Sequence, residues 1–187
     1  MTDAELIKAF KEGSSDALAE LIGRYKDRLY AYLLRLSRSR DTADDLVQEV
    51  FIKIIKKPDS YGERQKFSAW LFTVAHHVMM DHFRSAARRR EESLDAAAEG
   101  SPSPVEMLAS ADPGPDRVLE DAVRTAKLQA AFDRLSADQR EIFLMRHYSE
   151  LSFKEIAEIL GVPIGTVLAR MSRAMAKMRR EIGVRGE

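Results

Sequence analysis

Residues 151–178, "LSFKEIAEILGVPIGTVLARMSRAMAKM", place Ala157, Gly161 and Val167 where a helix-turn-helix needs them. A small residue early in the first helix lets two helices cross closely. A turn residue about four positions later takes the positive φ that Gly adopts most cheaply, and an apolar residue then starts the shared core. Ser152 and Glu155 have the spacing of a capping box, and Pro163 sits near the start of the second helix, where its missing N–H is harmless. Ile156, Ile159, Leu160, Ile164, Val167 and Met171 are the expected core. The other face of the second helix carries Thr166, Leu168, Ala169, Arg170, Ser172, Arg173, Lys177 and Arg180. Cations neutralise phosphates and side-chain donors reach base edges, so the predicted chemistry is binding of duplex DNA.

Two other stretches carry candidate chemistry. In "DDLVQEVFIKI", residues 44–54, Asp45, Gln48 and Glu49 share the outer face of a helix at i, i+3 and i+4. In residues 59–90, Tyr61, Phe67, Trp70 and Phe72 interleave with Arg64, Lys66 and a basic tail of Arg84, Arg88, Arg89 and Arg90. Aromatic faces stack bases and cations follow the backbone, although at least one of Trp70 and Phe72 is expected in the core. Enzymatic patterns are missing: there is no GxSxG, P-loop, HExxH or Gly-rich nucleotide loop. Asp44 and Asp45 are adjacent and point to different sides of a helix, which makes a poor acid–base dyad. His77 and Asp81 at i, i+4, like His76 and Met80, lack a fixed third ligand, so neither a metal nor any other cofactor is expected.

The elements that must position these residues are helices. Thr2 or Asp3 can cap a first helix with Leu6, Ile7 and Phe10 on one face, and Ser14, Ser15 or Asp16 a second running to Leu36. Asp41 and Thr42 open a third, with Leu46, Val47, Val50, Phe51, Ile54 and Ile55 as its apolar stripe. Pro58 and Gly62 mark a loop, and a fourth helix from about Ser68 carries Trp70, Leu71, Val74, Val78 and Phe83. Val118 to Leu135 reads as one amphipathic helix and Ser136 as the cap of the next. No alternating strand pattern stands out, so the expected fold is all-α in two small bundles.

The formal net charge of zero is a sum of unlike parts. Residues 1–90 carry 17 Lys/Arg and 13 Asp/Glu, residues 91–116 carry no cation and seven acids, and residues 117–187 carry 13 and 10. The acidic stretch holds four of the six prolines and no aromatic, so it cannot bury enough surface to offset its ordering entropy and reads as a flexible linker. Lack of an 18-residue apolar run argues against membrane insertion, and "MTDAELIKAFKEG" has no apolar signal region. The absence of Cys fits a reducing cytoplasm.

"DLVQEVF", "FSAWLFTVAHH" and "LSFKEIAEILGVPIGTV", in that order, resemble the signatures of the extracytoplasmic-function (ECF) sigma factors, the smallest class of the σ70 family. The likeness spans about residues 5–182. It implies an alternative sigma factor that binds core RNA polymerase and directs promoter-specific initiation in the bacterial cytoplasm, under an anti-sigma factor. Residues 1–90 would be a σ2 domain on the polymerase β′ clamp that captures and melts the -10 element. Residues 91–116 would be the linker, and residues 117–187 a σ4 domain that binds the β flap and reads the -35 element.

Residue by residue, the resemblance places clamp binding on Asp45, Gln48 and Glu49, with Leu46 and Phe51 behind. It places the pocket for an extruded -10 base on Ser60, Tyr61, Arg64, Gln65, Lys66 and Phe67, with His77, Arg84 and Arg88 on the following helix. His77 stands where relatives often carry Asn. It places -35 contacts on Thr166, Leu168, Ala169, Arg170, Arg173 and Lys177; Arg170 and Arg173 match the residues common in relatives, while Leu168 and Ala169 replace a basic residue and Ser. Leu and Ala cannot donate to guanine but can touch a thymine methyl.

Two other classes share some of these features. A one-component regulator with a LuxR-type helix-turn-helix needs a sensory domain in front, usually with strands, and a helical adaptor needs no DNA. The linker composition predicts that fragments 1–90 and 117–187 each melt as cooperative helical units by circular dichroism. Fragments without a cooperative transition would place the boundaries elsewhere.

Overall fold

The computed structural model describes residues 1–62, 66–92 and 127–182. The acidic linker, the first part of the helix expected from Val118, and the expected pocket residues Arg64 and Gln65 lie outside the described residues. Helix α1 is Asp3–Lys11, capped by Thr2 and Glu5 in a reciprocal box. Ser14 caps α2 (Ser15–Ser37). Helix α3 (Arg40–Lys56) starts earlier than Asp41, because the Ser39 hydroxyl accepts from the Thr42 N–H and serves as the cap. A 3₁₀ turn, Pro58–Ser60, leads towards α4 (Phe67–Glu92). A helical stretch at 127–133, α5, precedes Ser136, which caps α6 (Ala137–Tyr148) through a box with Gln139. Helices α7 (Phe153–Leu160) and α8 (Ile164–Ile182) follow, and the described residues contain no strand.

Helix α2 is the hub of the first bundle, packing on α1, α3 and α4. Its buried Leu21, Tyr25, Leu29, Tyr32 and Leu33 recur at helical spacing and meet Leu46, Val50, Ile54, Leu71, Phe72 and Val78. Burying a Leu or Ile side chain is worth about 1.5–3 kcal/mol, so these residues hold the bundle. At its amino end, Asp3 ties α1 to α2 through Arg24 at 2.7 Å and the Tyr25 hydroxyl. In the second bundle α6 packs on α7 and α8 around Ile142, Met145, Ile156, Val167 and Ala174. The two bundles also pack on each other, α2 against α6 and α4 against α7.

Three expected core residues are exposed. Ile55 (45%) is one position from buried Ile54, so a helix turns it about 100° away onto the outer face. Phe83 (44%) is five residues past buried Val78, about 140° off its stripe. Ile164 (48%) is the first residue of α8, ahead of the crossing that buries Val167.

Backbone conformation sets the helix-turn-helix. Gly161 ends α7 at φ 64°, ψ 31°, and its N–H donates to the Ala157 and Glu158 carbonyls. A Cβ here would meet nothing within 4 Å, so the requirement for Gly is conformational and not steric. Two non-Gly residues among those described share this left-handed region, Arg38 at φ 59° and Glu150 at φ 57°. Gly161→Ala should lower stability by about 1–2 kcal/mol, the cost of the left-handed backbone for an L-residue, and Gly161→Asn by less. Urea denaturation midpoints of the two variants check this ordering.

Candidate nucleic-acid interface

Four aromatic residues frame the segment after α3, and all four are buried. Tyr61, Phe67 and Trp70 sit with ring centroids 5.4–6.2 Å apart, and Tyr25 of α2 lies 5.2 Å from Phe67. Phe72 packs edge-on to Tyr32. The rings of Tyr61 and Phe67 are therefore not free stacking surfaces, as the sequence pattern suggested. They are consumed in the core, where they anchor both ends of the segment. Lys11 adds to the anchor, its ammonium 5.9 Å over the Tyr61 ring and 3.5 Å from the Tyr61 carbonyl oxygen. Lys66, just before α4, stays exposed.

Between α3, the 3₁₀ turn and α4 lies a cleft of about 550 Å³. Ser60 and His77 line it with Ile52, Val74, Glu49, Lys53, Lys56 and Lys57. The sequence reading singled out Ser60, His77 and Glu49 separately, and the fold brings them together. It missed the three lysines, although their i, i+3, i+4 spacing is the one used for the acids on the same helix. Lys53 bonds to Glu49 at 3.1 Å and approaches Asp81 at 3.7 Å. Asp45, Gln48 and Glu49 are exposed above buried Leu46 and Phe51, so α3 presents acids in its first half and lysines in its second. That polarity suits the helix dipole. Arg84, paired with Asp81 at 3.2 Å, and Arg88 extend an exposed basic edge along α4.

On α8, Leu168 is 46% exposed, Arg173 is exposed, and Thr166, Ala169 and Lys177 are half-buried. Arg170 is engaged: its guanidinium lies 2.7 Å from the carboxylate of Asp138 in the first turn of α6. Lys177 reaches the Arg134 carbonyl at 3.5 Å. A polyanion reaching Arg170 has to displace Asp138 first.

A second cleft, about 480 Å³, separates α4 from α7 and is lined by Lys66, Thr73, His77, Glu155, Glu158 and Ile159. His77 thus faces both clefts. Lys66 bridges to Glu155 at 3.1 Å. Burial alone would raise the Glu155 carboxyl, but hydrogen bonds from Ser152 and Lys66 outweigh it and hold the pKa below its ordinary value. Deeper in, His76 Nδ1 lies 2.7 Å from Glu141 Oε1. The Tyr32 hydroxyl is enclosed beside Glu141 without a hydrogen bond of good geometry, and burial with that neighbouring charge keeps it protonated. Among the described residues, no three His, Asp or Glu side chains cluster as a metal site.

Comparison with known proteins places this arrangement. Sigma-70 region 2 matches residues 21–89, which hold α3, both walls of the lysine cleft and most of α4. Sigma-70, region 4 matches residues 125–178, which hold the helix-turn-helix. The chain is 32% identical over 181 residues to the ECF RNA polymerase sigma factor SigW of Bacillus subtilis, covering 94% of each chain. Its fold superposes with TM-score 0.71 and 27% identity on the sigma factor RpoE, solved in complex with the anti-sigma factor NepR from Bartonella quintana, covering 90% of this chain and 98% of that one. It also shares the fold of CnrH, solved in complex with the cytosolic domain of CnrY, at TM-score 0.66 and 20% identity, covering 98% and 99% of the two chains. With both regions present in order and a relative matched from end to end, the chain belongs to the ECF RNA polymerase sigma factors.

Proposed function

We propose that the chain binds core RNA polymerase in the cytoplasm and directs initiation at its own class of promoters, with an anti-sigma factor holding it in reserve. Residues 1–90 engage the β′ clamp and the -10 element, residues 91–116 link, and residues 117–187 engage the β flap and the -35 element. The observation that carries this reading is the cleft beside α3, where Ser60 and His77 meet three lysines next to the exposed acidic face. Extruding a base costs a few kcal/mol, which must be returned by edge hydrogen bonds and apolar contact. Ser60 and His77 supply donors and acceptors, Ile52 and Val74 supply apolar walls, and Lys53, Lys56 and Lys57 neutralise the adjoining phosphates. Tyr61 and Phe67 act by holding the ends of the pocket segment in place. The anti-sigma partner is supported by RpoE, a relative solved in such a complex.

Run-off transcription with core polymerase on a random promoter library tests the whole reading. Transcripts from a defined subset of promoters are expected, and no transcript above core polymerase alone rejects it. Gln48→Ala combined with Glu49→Lys should weaken core binding while changing stability by less than about 0.5 kcal/mol, as exposed substitutions do. A folded double variant that binds core polymerase undiminished would remove the clamp assignment.

Arg170→Ala should cost about 1–3 kcal/mol on the preferred upstream element and relax preference at one base. Arg173→Ala should weaken binding evenly across sequences and lower the salt slope by about one. Asp138→Asn, which frees Arg170, should strengthen binding. Equilibrium binding to a duplex library at two salt concentrations reads all three.

A further inference from the structure

Among the described residues of α5–α8, Ile164 (48%) and Leu168 (46%) are the large hydrophobic side chains left exposed. A lone exposed Leu needs no explanation. These two stand four residues apart, so they leave α8 within about 40° of each other and about 6 Å apart along its axis. Gly165 lies between them, and a Cβ built there would meet nothing within 4 Å, so this face is clear of the chain's own atoms. Val167, Ala174 and Met178 form a separate, buried stripe that holds α8 to its bundle.

The cations of α8 are placed differently. Arg170 is held by Asp138 at 2.7 Å, and Lys177 reaches the Arg134 carbonyl at 3.5 Å. Arg173 and Arg179 are exposed without an ion pair among the described residues, and both lie more than a turn beyond Leu168. The open face of the helix is therefore apolar at its amino end and cationic further along. In a helix-turn-helix, residues near the amino end of the second helix meet base edges, and cations beyond them meet phosphates.

Ile164, Leu168 and Ala169 have no side-chain hydrogen-bond donor to offer a base. Of the groups that bases present in the major groove, the C5-methyl of thymine is the apolar one. Guanine, adenine and cytosine would each set a polar group against these side chains, losing water and gaining no partner. The patch is two side chains wide, far short of the roughly 800 Å² a side that a stable protein partner buries. The cations beyond it complement phosphate.

We propose that α8 reads thymine methyls, with Ile164 and Leu168 each packed on one C5-methyl group of the upstream element. Their separation of about 6 Å spans just under two steps of about 3.4 Å, so the two thymines stand one to two base pairs apart. Arg170 adds its base once Asp138 releases it, and Arg173 and Arg179 hold phosphates. The proposal rests on the reading of α8 as the helix that enters the -35 duplex.

The full-length chain is bound to a random duplex library, and the enriched element is resynthesised with each thymine replaced in turn by deoxyuridine. That replacement removes the methyl and leaves the pairing intact. Two replacements, one to two base pairs apart, should each weaken binding about fourfold, the worth of one buried methylene-sized group. Leu168→Ala should abolish the penalty at one position and Ile164→Ala at the other, each leaving the second penalty in place. Both side chains are exposed, so circular dichroism melts of the variants should match the parent. Leu168→Arg should exchange thymine for guanine at its position, because it restores a donor.

Deoxyuridine that binds as well as thymine at every position overturns the proposal, and run-off transcription from selected promoters would still uphold the sigma-factor reading. Folded Ile164→Ala and Leu168→Ala variants that keep both penalties also overturn it. If those variants lose core polymerase instead, the patch is a protein contact. Methyl penalties found as described, without any run-off transcript, overturn the proposed function and leave the thymine readout standing.

Discussion

A single aromatic contact governs where the first bundle can act. Tyr25 on α2 meets Phe67 at the head of α4, and Phe67 meets Tyr61 and Trp70. Aromatic pairs of this kind contribute about 0.5–1.5 kcal/mol beyond area burial, and here they close a segment whose two ends would otherwise be free. With Tyr61 and Phe67 fixed, Ser60 is held at one wall of the lysine cleft and Lys66 at the mouth of the next. The polar residues owe their position to rings that are themselves buried.

Local features were legible in the sequence and long-range ones were not. Thr2, Ser14, Ser136 and Ser152 cap the helices expected of them, because a cap depends on residues three apart. Gly161 takes the positive φ expected of it for the same reason. Tyr61 and Phe67 read as exposed stacking groups because their burial depends on distant partners, Lys11 over Tyr61 and Tyr25 against Phe67. Lys53, Lys56 and Lys57 looked like an ordinary solvated face. They line a cleft only because α4 runs across from α3. The docking of the bundles left no trace, since each charge involved reads as surface until its partner, about 65 or more residues distant, is placed.

Charge is distributed by segment as well as by sum. Helix α3 carries an exposed acidic half and a lysine-bearing half beside the cleft, so one rigid rod presents two charge characters without a hinge between them. The same economy holds for His77, which faces two clefts from one position on α4. A substitution at either place cannot be assigned to one surface alone.

The polar make-up of the seam between the bundles has a thermal consequence. Exposing apolar surface raises heat capacity and exposing polar surface lowers it, so the two terms oppose each other in a seam built from guanidinium, carboxylate, imidazole and phenol groups. Tyr32, Glu141 and His76 would take up water together when the bundles part, alongside apolar groups such as the Phe132 ring under Arg35. For each unit of area exposed, separation of the bundles then carries a smaller heat-capacity change than the melting of either one.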